Sequence, residues 1–202
     1  MEAAGAQRPI EGEKAQRIVD AMRSSVARRG VAGSTFDHVA REAGVSRGLL
    51  HYYFATKERL LAEVVRRDAE LRLGLLDARL AQAADADGVM RAMVVSLNDL
   101  VREDPESVVL FYELFSLAQR NAEVATELAV LMGRRRDGLA AALAAKRDAG
   151  VLVLHAAPDA VAEVLLALGD GIALRLVNAP DEDYAGTLEA CTSAMRSLIA
   201  PA

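Results

Sequence analysis

The sequence predicts an all-α protein of nine helices, with a three-helix N-terminal domain and a larger helical C-terminal domain. Apolar residues recur at helical spacing along almost the whole chain. Strand patterns are nearly absent, and the one β-like run, residues 151–154, is too short to build a sheet. The 202 residues, of which 52% are hydrophobic and 26% charged, can bury a core without disulfides or metals.

Glycine, proline and aspartate residues mark the ends of the predicted helices. The first helix carries Ile18, Val19 and Met22 on one face and ends near Gly30, whereas residues 1–10 are expected to form a loose arm. Proline at a first turn and aspartate as a cap indicate the later helix starts. The predicted helices cover residues 11–30, two short segments between 34 and 53, and residues 56–84, 89–102, 105–120, 122–149, 158–178 and 181–200.

The charge distribution separates the N-terminal third from the rest. Residues 1–67 hold 12 Lys and Arg against 8 Asp and Glu, whereas residues 68–202 hold 12 against 21. A basic region on an acidic body favours one surface for a polyanion. The predicted domains are residues 1–55 and 56–202, and the helix of residues 56–84 is expected to be a rigid strut shared by both.

Residues 34–53 show the pattern of two short amphipathic helices that meet at a glycine, as in a helix-turn-helix. Ser34 or Thr35 can cap the first helix, Gly44 can provide the left-handed turn, and Ser46 can cap the second helix. A plain helical hairpin without a DNA role is the alternative.

The outer face of the second short helix is suited to the major groove of DNA. It holds little apolar material and contains Gly48, a poor helix former that lets a backbone approach closely. Lys57 begins the next helix, where free N–H groups can bind a phosphate. The candidate DNA-binding residues are Thr35, Ser46, Arg47, Gly48, Leu49, His51, Tyr52, Tyr53 and Lys57.

Residues 11–65 resemble the DNA-binding domain of the tetracycline-repressor (TetR) family of bacterial transcription regulators. The resemblance implies a dimer that binds a palindromic operator and is released by a small-molecule effector. His51 departs from the family pattern by replacing the usual Tyr, and Asp37 stands where many members carry a basic residue. The matching strings are Thr35-Phe36-Asp37-His38-Val39-Ala40, Ala43-Gly44-Val45-Ser46-Arg47-Gly48-Leu49-Leu50, Tyr52-Tyr53-Phe54 and Lys57-Glu58-Arg59-Leu60-Leu61.

Residues 105–199 are similar, more loosely, to the subgroup that includes the choline-responsive repressors of betaine synthesis. The similarity rests on the strings Phe111-Tyr112-Glu113-Leu114-Phe115-Ser116-Leu117-Ala118 and Leu165-Leu166-Ala167-Leu168-Gly169-Asp170-Gly171-Ile172-Ala173-Leu174. It implies a helical domain for ligand binding and dimerisation, and it does not name the ligand.

An effector pocket is expected among the helices of residues 89–178, although methionines and aromatic residues at helical spacing also suit a plain core. The aromatic residues at 111, 112 and 115 could stack on a planar or cationic ligand, with Glu113 as counter-charge if it faces inward. Asp170, between two glycines, is either a ligand contact or a hydrogen-bonded structural residue. The candidate ligand-binding residues are Met90, Met93, Leu97, Phe111, Tyr112, Glu113, Phe115, Leu128, Met132 and Asp170.

The last two helices are expected to pair across a two-fold axis as a four-helix bundle. The last helix carries an apolar stripe, and the helix before it is apolar on nearly all sides, so a second surface must cover it. The candidate interface residues are Leu165, Gly169, Ile172, Leu176, Leu188, Cys191, Met195 and Leu198.

Other chemistry finds little support in the sequence. The three histidines have no ligand partners at metal spacing, no nucleotide or nucleophile motif is present, and the single cysteine excludes an intrachain disulfide. We expect no cofactor, no membrane span, no secretory signal and a cytoplasmic protein. An all-α ligand-binding protein without a DNA role, or an enzyme with an unrecognised site, are the alternatives to a transcription regulator.

Overall fold

A computed structural model describes residues 12–202, so the predicted arm and the predicted helix start at residue 11 lie outside the described residues. The described part contains nine α-helices and two short strands, which confirms the all-α prediction. The elements are α1 (Glu13–Gly33), α2 (Phe36–Ala43), α3 (Arg47–Phe54), α4 (Lys57–Gln82), α5 (Ala86–Glu103), α6 (Pro105–Ala118), α7 (Ala122–Asp148), β1 (Leu152–Leu154), α8 (Pro158–Asn178), α9 (Ala185–Leu198) and β2 (Ile199–Pro201).

The chain divides into two compact units, and the division falls inside α4, between Val64 and Val65. The sequence places the boundary earlier, at residues 55 and 56, and that boundary stays a prediction. Large apolar side chains that are almost completely buried hold the first unit together. They come from α1, α3 and the first turns of α4 and are Ile18, Met22, Leu50, Phe54, Leu60 and Leu61.

The turn between α2 and α3 forms as the sequence predicts. Thr35 accepts a hydrogen bond from the backbone N–H of His38, and Ser46 accepts one from that of Leu49. Gly44 closes α2 in the left-handed conformation, with φ 64° and ψ 39°. Local capping therefore fixes where α3 begins, before any contact with DNA.

The second unit packs α5, α7, α8 and the C-terminal segment around one apolar core. Val89, Leu139, Leu143, Val161 and Ile199 are all completely buried in it. Because the long helices α7 and α8 share this core, side chains on their flanks are held at fixed separations.

The elements of the second unit differ from the sequence prediction at three places. The β-like run forms β1 and pairs antiparallel with β2, whose residues follow α9 directly. Helix α5 begins at Ala86 because the Asp85 carboxylate caps it, accepting a hydrogen bond from Gly88 N at 2.6 Å. Helix α9 begins only at Ala185, since residues 179–182 form a turn and Asp183 accepts a hydrogen bond from Ala185 N.

We predict that Gly44→Ala destabilises the protein, because an L side chain at φ 64° is strained even with open space around its Cβ. The expected loss is about 1–2 kcal/mol in the free energy of unfolding, measured by urea denaturation. Gly133→Ala is the matched control, since Gly133 lies inside α7 without positive φ and a Cβ there would meet nothing within 4 Å. Equal stability of the two variants would contradict the assigned role of Gly44.

Candidate DNA-binding surface and effector cavity

The outer face of α3 is largely exposed to solvent. A Cβ at Gly48 would meet only the Ser46 hydroxyl oxygen, at 4.0 Å, so the fold of the chain does not require glycine there. Tyr52 has 64% of its surface exposed, and Arg47 is also exposed. An exposed aromatic residue beside a bare backbone is typical of a helix that meets an external partner.

Arg47 lies at the start of α3 and pairs with Asp37 of α2. Its Nη1 is 3.2 Å from a carboxylate oxygen of Asp37, and both side chains are 60% exposed. An exposed pair of this kind contributes little to stability and is easily exchanged for another anion. Another anion that approaches Arg47 would therefore compete with Asp37 for its guanidinium.

Two of the predicted DNA contacts also hold the first unit together. The ammonium of Lys57 donates a hydrogen bond to the carbonyl of Val31 at 3.0 Å, and its two other protons stay available for a phosphate. The His51 ring contacts Phe36 edge-on, and its Nδ1 lies 3.1 Å from the carbonyl oxygen of Ala55. Ala55 has φ 58°, so His51 supports a strained turn at the end of α3.

The remaining predicted contacts differ in exposure. Thr35 and Ser46 are exposed, but their hydroxyl oxygens accept the capping hydrogen bonds of α2 and α3. Leu49 is half-buried, and Tyr53 is half-buried between the rings of Tyr52 and Phe54. The part of the predicted set that faces outward most freely is Arg47, Gly48, His51 and Tyr52.

The second unit contains a cavity of about 450 Å³, large enough for a small organic molecule. Its walls come from α4, α5, α6, α7 and α8, and most of the side chains are aliphatic or aromatic. Five predicted ligand-binding residues line it, namely Met93, Leu97, Phe111, Tyr112 and Asp170.

The other five predicted ligand-binding residues do not line this cavity. Met90 and Leu128 are buried among neighbouring helices, at 5% and 6% exposure. Phe115 packs edge-on against Phe111 with ring centres 5.1 Å apart, and Met132 lies beside Arg135. Glu113 is exposed on α6 and cannot act as the inward counter-charge that the sequence allows.

The sequence misses the polar part of the cavity wall, which consists of paired charges. Arg79 pairs with Asp99 and also donates to Ser96, and Arg72 pairs with Asp104. These arginines look like a solvated face of α4. One signal could have revealed them, because Val65, Ala69, Arg72, Leu76 and Arg79 recur at spacings of four and three residues and all line the cavity.

Asp170 is the centre of a second polar group on the cavity wall. It forms a two-bonded ion pair with Arg135 of α7, and the Tyr112 hydroxyl of α6 donates to its backbone carbonyl at 2.8 Å. Burial and the Asp170 carboxylate raise the pKa of Tyr112, although Arg135 opposes this, so the hydroxyl keeps its proton at neutral pH. Asp170 thus links three helices.

The predicted dimer interface is only partly open in the single chain. Leu165, Ile172 and Met195 are buried by their own protomer, at 3%, 8% and 8% exposure, because both helices turn one apolar face toward the core. Leu198 packs against the same core, and Gly169 lines the cavity. The surface left for a partner includes Leu188, at 39% exposure, and the half-buried Leu176 and Cys191.

No helix among residues 12–202 is long and apolar enough to cross a membrane. Within the same range, no three His, Cys, Asp or Glu side chains are grouped so that they could hold a metal ion.

Comparison with known proteins gives two family matches that together cover most of the chain. Residues 18–64 match the family described as bacterial regulatory proteins, tetR family. Residues 86–200 match the family described as BetI-type transcriptional repressor, C-terminal.

The chain belongs to the TetR family of bacterial regulators.

Individual relatives agree with this TetR assignment. The regulator BetI of Rhizobium meliloti is 33% identical over 67% of this chain and 67% of its own length. BetI of Agrobacterium fabrum is 30% identical over 66% of this chain and 65% of its own length. Among solved structures, a transcriptional regulator of Streptomyces coelicolor is 26% identical, with a TM-score of 0.72 over 92% of this chain and 98% of that one.

A more distant structure supports the TetR fold alone. A TetR-family regulator of Mesorhizobium loti has a TM-score of 0.75 over 94% of this chain and 99% of that one, at 18% identity. As a TetR member, the protein is a helix-turn-helix transcriptional regulator that binds DNA, which confirms the function predicted from residues 34–57.

We predict that Gly48→Ala separates stability from DNA binding in this TetR protein. Alanine should stabilise α3 by about 0.5–1 kcal/mol, because nothing in the chain opposes the methyl group. DNA affinity should fall about tenfold, since the methyl group keeps the helix backbone away from the duplex. Urea denaturation and fluorescence anisotropy with labelled DNA measure the two effects. Gly133→Ala should stabilise the protein without affecting DNA binding, and an unchanged affinity of Gly48→Ala would refute the assigned contact.

We predict that Asp37→Asn increases DNA affinity several-fold, because it removes an exposed negative charge and releases Arg47. If Arg47 then binds a phosphate, the slope of log affinity against log salt should steepen by about one. Anisotropy titrations from low to moderate salt measure both quantities, with Asp148→Asn at the end of α7 as control. Weaker binding would show that Asp37 itself contacts DNA favourably.

Proposed function

We propose that this TetR regulator is a homodimeric repressor that binds a palindromic operator through α3 and is released when a small molecule enters the cavity of the second unit. The exposed outer face of α3, with open space at Gly48, is the observation that carries the DNA part. A repressor of this kind acts in the cytoplasm, where the chromosome lies.

Dimerisation through α8 and α9 is supported by the apolar residues that the protomer leaves uncovered there. Val164 and Leu188 are 45% and 39% exposed, although their helices contribute Leu165 and Met195 to the core. A self-complementary patch closes as a two-fold dimer, and a two-fold dimer matches the symmetry of a palindromic site.

Control by a ligand is supported by the position of α4 in the chain. This helix begins at Lys57, beside the DNA-binding turn, and its residues 65–79 line the cavity. A ligand that fits one arrangement of these walls better than another shifts the population of the protein toward that arrangement. We propose that the ligand-bound arrangement is the one that leaves the operator.

The two alternatives from the sequence lack a comparable observation. A ligand-binding protein without a DNA role would leave the exposed Tyr52 and the open space at Gly48 without explanation. The relatives are transcriptional regulators, and no described group of residues calls for an enzyme.

Selection of binding sites from randomised duplex DNA tests the proposed function. We expect an enriched inverted repeat, and light scattering that gives the mass of a dimer at micromolar concentration. Leu188→Glu should weaken both dimerisation and operator binding, because it places a charge on the interface. Val130→Glu, at a comparably exposed apolar site on α7, should weaken neither dimerisation nor operator binding. Absence of an inverted repeat, or a monomer in the unmodified protein, would refute the proposal.

A further inference from the structure

The ion pair on the cavity wall suggests which chemical class of molecule the cavity receives. Phe111 and Tyr112 of α6, Arg135 of α7 and Asp170 of α8 all line the cavity, and we call these four residues the Asp170 cluster. It joins three helices through side-chain contacts, so a molecule that changes it acts on all three.

Arg135 is arranged as a receptor for a carboxylate. Its Nη1 and Nη2 donate to the two carboxylate oxygens of Asp170 at 3.0 and 2.7 Å. The guanidinium carbon lies 4.8 Å from the centre of the Phe111 ring, and this contact orients the plane of the guanidinium group. A planar, stacked guanidinium with two parallel donors recognises a carboxylate by shape as well as by charge.

The carboxylate that Arg135 holds is partly open to water. Asp170 lies between Gly169 and Gly171, and a Cβ at either glycine would meet nothing within 4 Å. The Asp170 side chain is 23% exposed, so it can turn toward water without crossing the core.

The other acidic side chains of the cavity wall are engaged by neighbouring groups, except for Glu103, which is exposed at the end of α5. The Asp99 carboxylate on the same wall is already paired with Arg79, and the Asp68 carboxylate accepts a hydrogen bond from Ser107. A cation inside the cavity would have to compete with an arginine for Asp99 or Asp170, whereas a carboxylate can offer Arg135 the same two acceptor oxygens that Asp170 offers it.

We infer that the cavity binds an apolar molecule bearing a carboxylate, and that this carboxylate replaces Asp170 on the guanidinium of Arg135. The inference rests on the proposed effector role of the cavity. Arg135 exchanges one anion for another and so stays paired, while the displaced Asp170 carboxylate must turn to water. The exchange removes the ion pair between α7 and α8, and α8 carries part of the proposed dimer surface.

Titration calorimetry without DNA tests the inference with three probes of one shape and different charge: phenylbutyrate, phenylbutanamide and phenylbutylamine. We expect phenylbutyrate to bind at least about tenfold more tightly than the other two. Asp170→Asn should tighten phenylbutyrate binding several-fold, because the competing carboxylate is gone. Arg135→Gln should weaken it about tenfold. Asp137→Asn and Arg136→Gln, which alter an exposed pair on the same helix, are matched controls and should change nothing.

The opposite charge preference would overturn the inference. Tighter binding of phenylbutylamine, lost in Asp170→Asn, would identify a cation site, and equal binding of the amide would show that charge is not recognised. No binding of phenylbutyrate also refutes it. If Arg135→Gln fails to fold, Arg135→Lys can replace it, because lysine retains the charge without the two parallel donors. This variant should still bind phenylbutyrate more weakly than the unmodified protein does. Operator binding of the unmodified protein is measured in the same preparation, so that failure of the carboxylate inference alone leaves it intact.

Discussion

The pairing of charges inside the second unit is the constraint on which its structure depends. An unpaired charge is costly away from water, so each arginine on the cavity wall is held by a carboxylate from another helix. Two of these pairs join α4 to α5 and to Asp104, which follows the end of α5, and the third joins α7 to α8. They also decide what the cavity can accept, because a ligand must either leave the pairs intact or supply a substitute for one partner.

In the first unit, the helix assigned to DNA binding must keep an exposed outer face. Capping by Thr35 and Ser46 and the left-handed Gly44 fix α3 through local interactions, so its position depends little on that face. The Arg47–Asp37 pair and the bond from Lys57 to Val31 show how basic residues are kept in place meanwhile. The exposed Arg47–Asp37 pair is weak enough to exchange for phosphate oxygens.

Most of the helices and turns can be predicted from the sequence, and the features that cannot be predicted share one physical cause. Helices, caps and the Gly44 turn depend on residues within a few positions of one another, and the structure confirms them. Part of the apolar wall of the cavity, including Met93, Leu97 and Phe111, follows from helical periodicity, although half of the predicted ligand-binding residues lie elsewhere. The paired arginines of the cavity wall cannot be predicted in this way, because each looks like a solvated residue until the fold brings an acidic partner from a distant part of the chain. They are Arg72, Arg79 and Arg135. The pairing of β1 with β2 cannot be predicted for the same reason, because the two strands are distant in the sequence. Glu113 is the opposite case, since its aromatic neighbours in the sequence suggest that it faces inward but the structure exposes it to water.

In the proposed mechanism, occupancy of the cavity and binding of the operator are energetically linked. The most direct test measures the affinity for phenylbutyrate with and without operator DNA, and the affinity for operator with and without phenylbutyrate. Linkage requires that each weakens the other by the same factor, and we expect about fivefold or more. Equal phenylbutyrate affinity in the free and operator-bound protein would contradict the account, because the cavity would then have no influence on DNA binding.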